Sequence, residues 1–203
     1  MRLAITSEAG DFLNMTNWDA RYAHKDTPWD KGMPHPAIVK YVTEHPLKGH
    51  ILVPGCGTGQ DVRAIATPSN YPVGLDMSEQ AIRIANTFRR GANETFMRGD
   101  LFSMPAAQYG QYDWVLEHTC FCAIEPNMRN AYADAVHRML KPHGRILAVF
   151  FLDPHVEFGP PYGVSNAELE ETFAAFEVIE EHRNPSTFPD RDGVELLRVL
   201  RKR

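Results

Sequence analysis

Cysteine, surplus positive charge and long apolar runs are all scarce in this chain. Cys56, Cys120 and Cys122 are its only cysteines, too few and too unevenly spaced for a disulfide framework. That scarcity suits a reducing cytosol, and Cys120 and Cys122 read as small buried hydrophobes. Lys and Arg number 21 against 26 Asp and Glu, giving a net charge of -5. Affinity for nucleic acid rests mostly on neutralising phosphates, so no nucleic-acid partner is expected. The one dense basic group, Arg198, Arg201, Lys202 and Arg203, reads as a solvated end. No stretch approaches the roughly 18 apolar residues of a membrane span. The first thirty residues carry acids, Asn and Trp where a signal peptide needs an apolar run. A cytoplasmic chain with no membrane association is the expectation. The histidines stand singly, without a C-x-x-C or H-x-x-x-H frame, and predict no metal site.

What is present is enough apolar residue, 43% of 203 positions, for one well-buried core, and a single domain over 1–203 is expected. Short apolar runs at His50–Pro54, Tyr71–Asp76, Glu94–Arg98, Gln111–Glu117 and Arg145–Leu152 read as strands. Helical patterns fall at Pro36–Glu44, Gln60–Ala66, Ser78–Phe88 and Met128–Leu140. Such alternation predicts an α/β fold with parallel pairing by right-handed crossovers. The rhythm breaks at the Pro/Gly-rich segment 153–164, either a wall of a substrate pocket or an ordinary surface loop. A helix over Ser165–Ala175 and strands over Phe176–His182 and Val194–Arg201 would close the sheet. Residues 1–35 read as a segment packed over the sheet's carboxyl edge.

The sharpest local signal is Pro54-Gly55-Cys56-Gly57-Thr58-Gly59-Gln60-Asp61, a glycine turn between the first strand and the first following helix. Gly55, Gly57 and Gly59 allow close backbone approach to a ligand. Asp76, with Met77 beside it, ends the second strand, where a carboxylate can accept bonds from two ribose hydroxyls. Together they describe an adenosine site. A dinucleotide fingerprint needs its third glycine where Gln60 stands, and Asp61 would repel a pyrophosphate. The same acid suits a cofactor bearing an ammonium and a sulfonium, so S-adenosylmethionine is favoured over a nicotinamide. Glu117 and His118 end the fourth strand, also at the ligand-binding edge of the sheet.

Several words of the sequence, in one order, resemble the thiopurine methyltransferase family, and within it the thiol and halide methyltransferases known as harmless-to-ozone-layer proteins. They are Trp18-Asp19-Ala20-Arg21-Tyr22, Thr27-Pro28-Trp29-Asp30, Val53 to Asp61, Gly74-Leu75-Asp76, Gly99-Asp100-Leu101-Phe102, Phe121-Cys122-Ala123-Ile124 and Gly159-Pro160-Pro161-Tyr162. The resemblance implies a Rossmann-like seven-stranded sheet, mainly parallel with its last strand antiparallel, and an N-terminal lid. It also implies S-adenosylmethionine as donor, S-adenosylhomocysteine as product and a small soft nucleophile as acceptor.

Carried onto this chain, the family pattern puts Trp18, Tyr22 and Trp29 over the cofactor, where aromatic faces attract a sulfonium; their other reading is an anchor for the N-terminal segment by area alone. Asp100 is placed at the adenine amino group with Leu101 beside the ring, or else it is a capping acid. At the position of His118 the relatives carry Arg or Tyr. A histidine there serves as a base toward a thiol or is a packed, hydrogen-bonded side chain. The expected acceptor is a thiol or sulfide. Alternatives are a halide, thiopurine or metalloid acceptor, or a non-catalytic sensor of the cofactor. A monomer or weak homo-oligomer is expected.

Overall fold

From Gly49 strands and helices alternate as far as β3 (Thr95–Arg98) in the computed structural model, which describes residues 16–89, 93–152 and 159–203. In chain order the elements are α1 (Trp18–Ala23), α2 (Pro36–Glu44), β1 (Gly49–Pro54), α3 (Gln60–Ile65), β2 (Asn70–Asp76), α4 (Glu79–Thr87), β3 (Thr95–Arg98) and β4 (Tyr112–His118). Then follow α5 (Arg129–Met139), β5 (Leu140–Phe151), α6 (Asn166–Thr172), β6 (Phe176–Arg183) and β7 (Glu195–Lys202). The strands form one sheet in the order β3-β2-β1-β4-β5-β7-β6. β1 to β5 pair in parallel, and β7 runs antiparallel to both β5 and β6. The chain direction along the order reverses at β1, so the edge beyond β1 and β4 is the natural ligand crevice.

Both faces of the sheet are covered, which is why its central strands are apolar without a break. Along β5, Ile146, Ala148 and Phe150 face one core cluster while Leu147 and Val149 face the other. The first cluster holds Phe121, Tyr132 and Phe173, packed edge-on or tilted on one another. The second collects Ile38, Ile51, Leu116 and Val199. Each fully buried side chain of this size contributes about 1.5–3 kcal/mol.

The expected elements are present with shifted ends. Arg145 was the expected start of β5, yet extended chain begins at Leu140, directly after α5. Pairing moves from Tyr112↔Leu140 to Trp114↔Arg145, so the Lys141-Pro142-His143-Gly144 turn is an irregularity inside the strand. Ser78 caps α4 by accepting the Ala81 N–H at 3.1 Å. Residues 1–15 of the expected N-terminal segment and 153–158 of the expected pocket loop lie outside the described residues.

Candidate active site

The turn after β1 is shaped by what crowds it. A Cβ on Gly57 would lie 2.6 Å from the Tyr22 hydroxyl, and one on Gly59 would lie 2.4 Å from the Phe96 ring. Both have φ above +50°, so only glycine fits the backbone and the space. Asp76 locks this turn to the start of α4: its Oδ2 accepts the Gly57 N–H and its Oδ1 the Ser78 N–H, both at 2.8 Å. Burial raises its carboxyl above the ordinary value in spite of those two donors. Each oxygen keeps a further acceptor site.

Beyond the turn, along the carboxyl edge of the sheet, is a cavity of about 320 Å³. Asp76, Met77, Asp100 and Leu101 line its β2–β3 half, and Cys120, Cys122, Ile124 and Arg191 line its β4–β7 half. Trp18, Tyr22 and Trp29 form the N-terminal side, with Gly55 at the turn. These aromatics bind one another as well. Trp18 and Trp29 meet edge-on at 5.3 Å, and the Trp29 indole N–H donates to the Tyr22 hydroxyl at 3.1 Å. Asp100 caps a short 3-10 turn, accepting the Phe102 N–H at 2.9 Å, and lines the cavity too. Lys31 and Asp190, paired at 2.8 Å, tie the N-terminal segment to the loop before β7 across this space.

Gly57, Gly59, Glu117 and His118 are not on that wall. Glu117 lies beneath it, 2% exposed, accepting the N–H groups of Cys120 at 3.1 Å and Phe121 at 2.8 Å, and the Tyr132 hydroxyl. It therefore builds the β4 turn rather than facing the cavity. Burial pushes its carboxyl up to about 7, the bonds to Phe121 and Tyr132 opposing the shift. An acid whose folded value exceeds its unfolded one holds its proton more tightly when folded, so stability falls as pH rises through about 7, by on the order of a few kcal/mol. Glu117→Gln is expected to remove most of that loss. Thermal unfolding at pH 5 and pH 8 checks this, and parallel behaviour of the two proteins would refute it.

His118 points to the opposite face of β4, into a smaller recess of about 50 Å³ that it lines with Gly57, Thr58, Asp61 and Phe188. Gly55, Thr119, Tyr22 and Trp29 line both spaces, so the recess adjoins the main cavity. Thr119 turns the chain between them with φ at 65°, a costly conformation for a β-branched residue. His118 Nδ1 lies 2.7 Å from Asp61 Oδ2, and Asp61 Oδ1 accepts the His35 N–H at 2.8 Å. Burial works to lower the value of His118, but the neighbouring Asp61 carboxylate, with Glu195 and Glu117, lifts it above the ordinary one. Asp61 is held below its ordinary value because His118 and the His35 N–H outweigh its burial.

The histidines expected to stand singly do not all do so. His35 and His118 meet at 4.6 Å between ring centres, and Glu195 Oε2 lies 2.8 Å from His35 Nε2. One ligand-type atom from each of these three residues falls within 4.8 Å of the others. His35 Nδ1, however, accepts the Ala37 N–H as the cap of α2, which puts the ring hydrogen on Nε2, toward Glu195. Binding a cation at Nε2 would move that hydrogen to Nδ1, against the Ala37 N–H. The contacts are those of a hydrogen-bond network, which Thr187 completes by donating to Glu195.

A mainly parallel sheet with a glycine turn after β1 and an acid ending β2 at one edge cavity is built for a nucleoside-bearing cofactor, and the family match and fold neighbours below make this chain an S-adenosylmethionine-dependent methyltransferase. Comparison with known proteins makes the assignment specific. Residues 13–197 match the thiopurine S-methyltransferase (TPMT) family, and the chain belongs to it. It is 36% identical over 202 residues to "Thiocyanate methyltransferase 1" of Arabidopsis thaliana, covering 94% of this chain and 88% of that protein. To "Probable thiol methyltransferase 2" of the same plant it is 35% identical over 187 residues, 89% and 82% of the two chains. A solved structure described with the conversion of a disulfide bond into a thioacetal group during echinomycin biosynthesis superposes with a TM-score of 0.76, at 24% identity and 91% of each chain. A Burkholderia thailandensis 1,6-didemethyltoxoflavin-N1-methyltransferase with bound S-adenosylhomocysteine gives a TM-score of 0.68 at 19% identity, covering 90% of this chain and 84% of that one. These two share the fold. Among the described residues no helix is long and apolar enough to cross a membrane.

Proposed function

We propose that this chain transfers the methyl group of S-adenosylmethionine to a small sulfur nucleophile, a thiol or hydrosulfide, seated in the recess beside His118. The observation that carries the reading is the recess itself: about 50 Å³, adjoining the cofactor-sized cavity and holding a carboxylate-paired imidazole. In this measure a water needs about 10–15 Å³, so the space suits an acceptor of only a few non-hydrogen atoms. The "thiol" and "thiocyanate" in the names of the plant relatives are acceptors of that size class.

Asp76 is assigned the ribose hydroxyls, and Asp100 and Leu101 the adenine. Gly55 lets the backbone approach the methionine part, Gly57 and Gly59 give the turn its shape, and Trp18, Tyr22 and Trp29 cover it. The cavity beside the turn, lined by Asp76 with an acceptor site left on each oxygen, fits such a ligand. Bound there, S-adenosylmethionine supplies a methyl group on a sulfonium whose departure leaves a neutral thioether. The chain's own share is alignment, worth about 7–11 kcal/mol, and exclusion of water from a small anion. Residues 159–164 supply Pro160 and Pro161 to the cavity wall, which favours a pocket role for this part of the loop.

A second reading has one observation in its favour. Arg191 lines the main cavity, stacks 4.6 Å from the Phe151 ring and makes no ion pair among the described residues, which suits a permanently anionic acceptor such as thiocyanate or iodide. Turnover with hydrosulfide, small alkyl thiols, an aryl thiol, thiocyanate and iodide separates the two. At least one thiol or hydrosulfide is expected to exceed iodide and thiocyanate in kcat/KM. The reverse order would establish the anion reading, and binding of the cofactor with no methylated product from any acceptor would make the chain a sensor.

A further inference from the structure

His118 is not alone in its recess, and what surrounds it assigns each of its two nitrogens a task. Asp61, in the first turn of α3, uses both of its oxygens: one takes the His35 N–H at 2.8 Å and the other faces His118 Nδ1 at 2.7 Å. The carboxylate is thereby fixed at both ends. His118 Nε2 makes no hydrogen bond among the described residues, and the ring lines the recess. The charged and titratable groups around the ring are Asp61 from α3, Glu195 from β7, Glu117 from β4, His35 ahead of α2, and Asp30 and Lys31 at the recess wall. Asp61 alone among them bonds to the ring. We propose that Asp61 is a positioning residue that keeps the hydrogen of His118 on Nδ1, so that Nε2 takes the proton of a weakly acidic acceptor thiol during methyl transfer.

This rests on the sulfur-acceptor reading above and specifies how that acceptor is activated. The acceptor's sulfur forms its new bond to the methyl carbon as its S–H proton passes to His118 Nε2. The bond from that carbon to the sulfonium sulfur breaks, its electron pair staying on the departing thioether. The methyl thioether product is neutral, and the imidazolium, held against Asp61, afterwards gives its proton to water. An acceptor already ionised needs no such step. Along the sequence Asp61 reads as an acid that repels a pyrophosphate and suits an ammonium-bearing cofactor; its partner His118 is 57 residues away.

Asp61→Asn tests the assignment with little change of shape. The amide oxygen can keep the His35 N–H, but the amide N–H₂ then faces Nδ1 and can only donate. Nδ1 must accept, and the ring hydrogen moves to Nε2, where it blocks proton uptake; the same exchange in a Ser-His-Asp triad costs about 10⁴-fold. Expected here is a loss of about 10²-fold or more in kcat/KM for an alkyl thiol and a loss of less than about threefold for an aryl thiol ionised at the assay pH. The acid limb of the alkyl-thiol pH profile should also move to lower pH, since the carboxylate that lifts the value of His118 is gone. Equal losses for both acceptors, or an unmoved acid limb, would overturn the proposal. Nitrogen-15 shifts of His118 in the unaltered protein provide a readout free of any acceptor or variant: Nδ1 should keep its hydrogen while Nε2 titrates. A hydrogen on Nε2 in the neutral ring would sink the proposal even if thiols are turned over. Absence of thiol turnover with Nδ1 protonated would instead overturn the sulfur-acceptor reading.

Discussion

Replacing His118 with alanine is expected to slow methylation of a weakly acidic alkyl thiol by about 10²-fold or more, the usual range for loss of a general base being about 10²–10⁴. A free thiol with a pKa near 8.5 is only a few per cent thiolate at neutral pH, so removing the proton is a large part of making the nucleophile. An aryl thiol that is already ionised should lose far less. Alanine also strands Asp61, whose carboxylate would stay buried without its partner and cost stability of about 3–5 kcal/mol. His118→Asn is therefore the companion variant, because its amide can still donate to Asp61 while offering no base. Both variants should show the same dependence on acceptor acidity. Cofactor affinity measured by calorimetry should hardly move. Equal losses for alkyl and aryl thiols would make His118 a shaping residue, and an unaltered rate with the alkyl thiol would remove it from the mechanism.

The parts of this site that a reader can take from the sequence are the ones built from adjacent residues. The turn from Gly55 to Gly59 is legible because a strand, three glycines and a helix follow in one short stretch, and Asp76 because it ends the next strand. Ser78 likewise declares itself as a cap by its place before α4. The His35–Glu195 contact spans 160 positions, and the His118–Asp61 contact spans 57. Whether such residues meet depends on strand order and on which face of β4 each side chain takes. Glu117 and His118 show the difficulty, since the period of two along a strand sends them to opposite faces. One builds the turn beneath the main cavity and the other enters a separate recess. Arg191 was missed for a related reason: it reaches the cavity only because β7 runs antiparallel, which brings the loop before it to the carboxyl edge of β5. The irregularity in β5 is not legible because a Lys-Pro-His-Gly stretch after a helical pattern reads as an ordinary connection.

Asp76→Ala is expected to weaken S-adenosylmethionine binding by about 1.5–3 kcal/mol, roughly ten- to a hundredfold in Kd, the range for a lost charge-assisted hydrogen bond. Two effects combine in that variant. One is loss of the acceptor assigned to the ribose hydroxyls; the other is loss of the bonds that tie Gly57 to the start of α4. Asp76→Asn separates them, because its amide oxygen can still accept one of the two backbone N–H groups while the charge is gone. If the carboxylate serves the ribose, both variants should bind weakly and only the alanine variant should also unfold at a clearly lower temperature without ligand. The unaltered protein carries a further signature. Burial raises the Asp76 carboxyl, so it begins to take up a proton at a higher pH than an ordinary aspartate, and affinity should decline on acidification from that higher point. The asparagine variant has no such proton to gain, and its affinity should be flat over the same interval. Calorimetric titrations of both proteins across that interval decide the matter. Full affinity in Asp76→Asn at every pH would move the ribose away from this residue and leave Asp76 with the single task of shaping the turn.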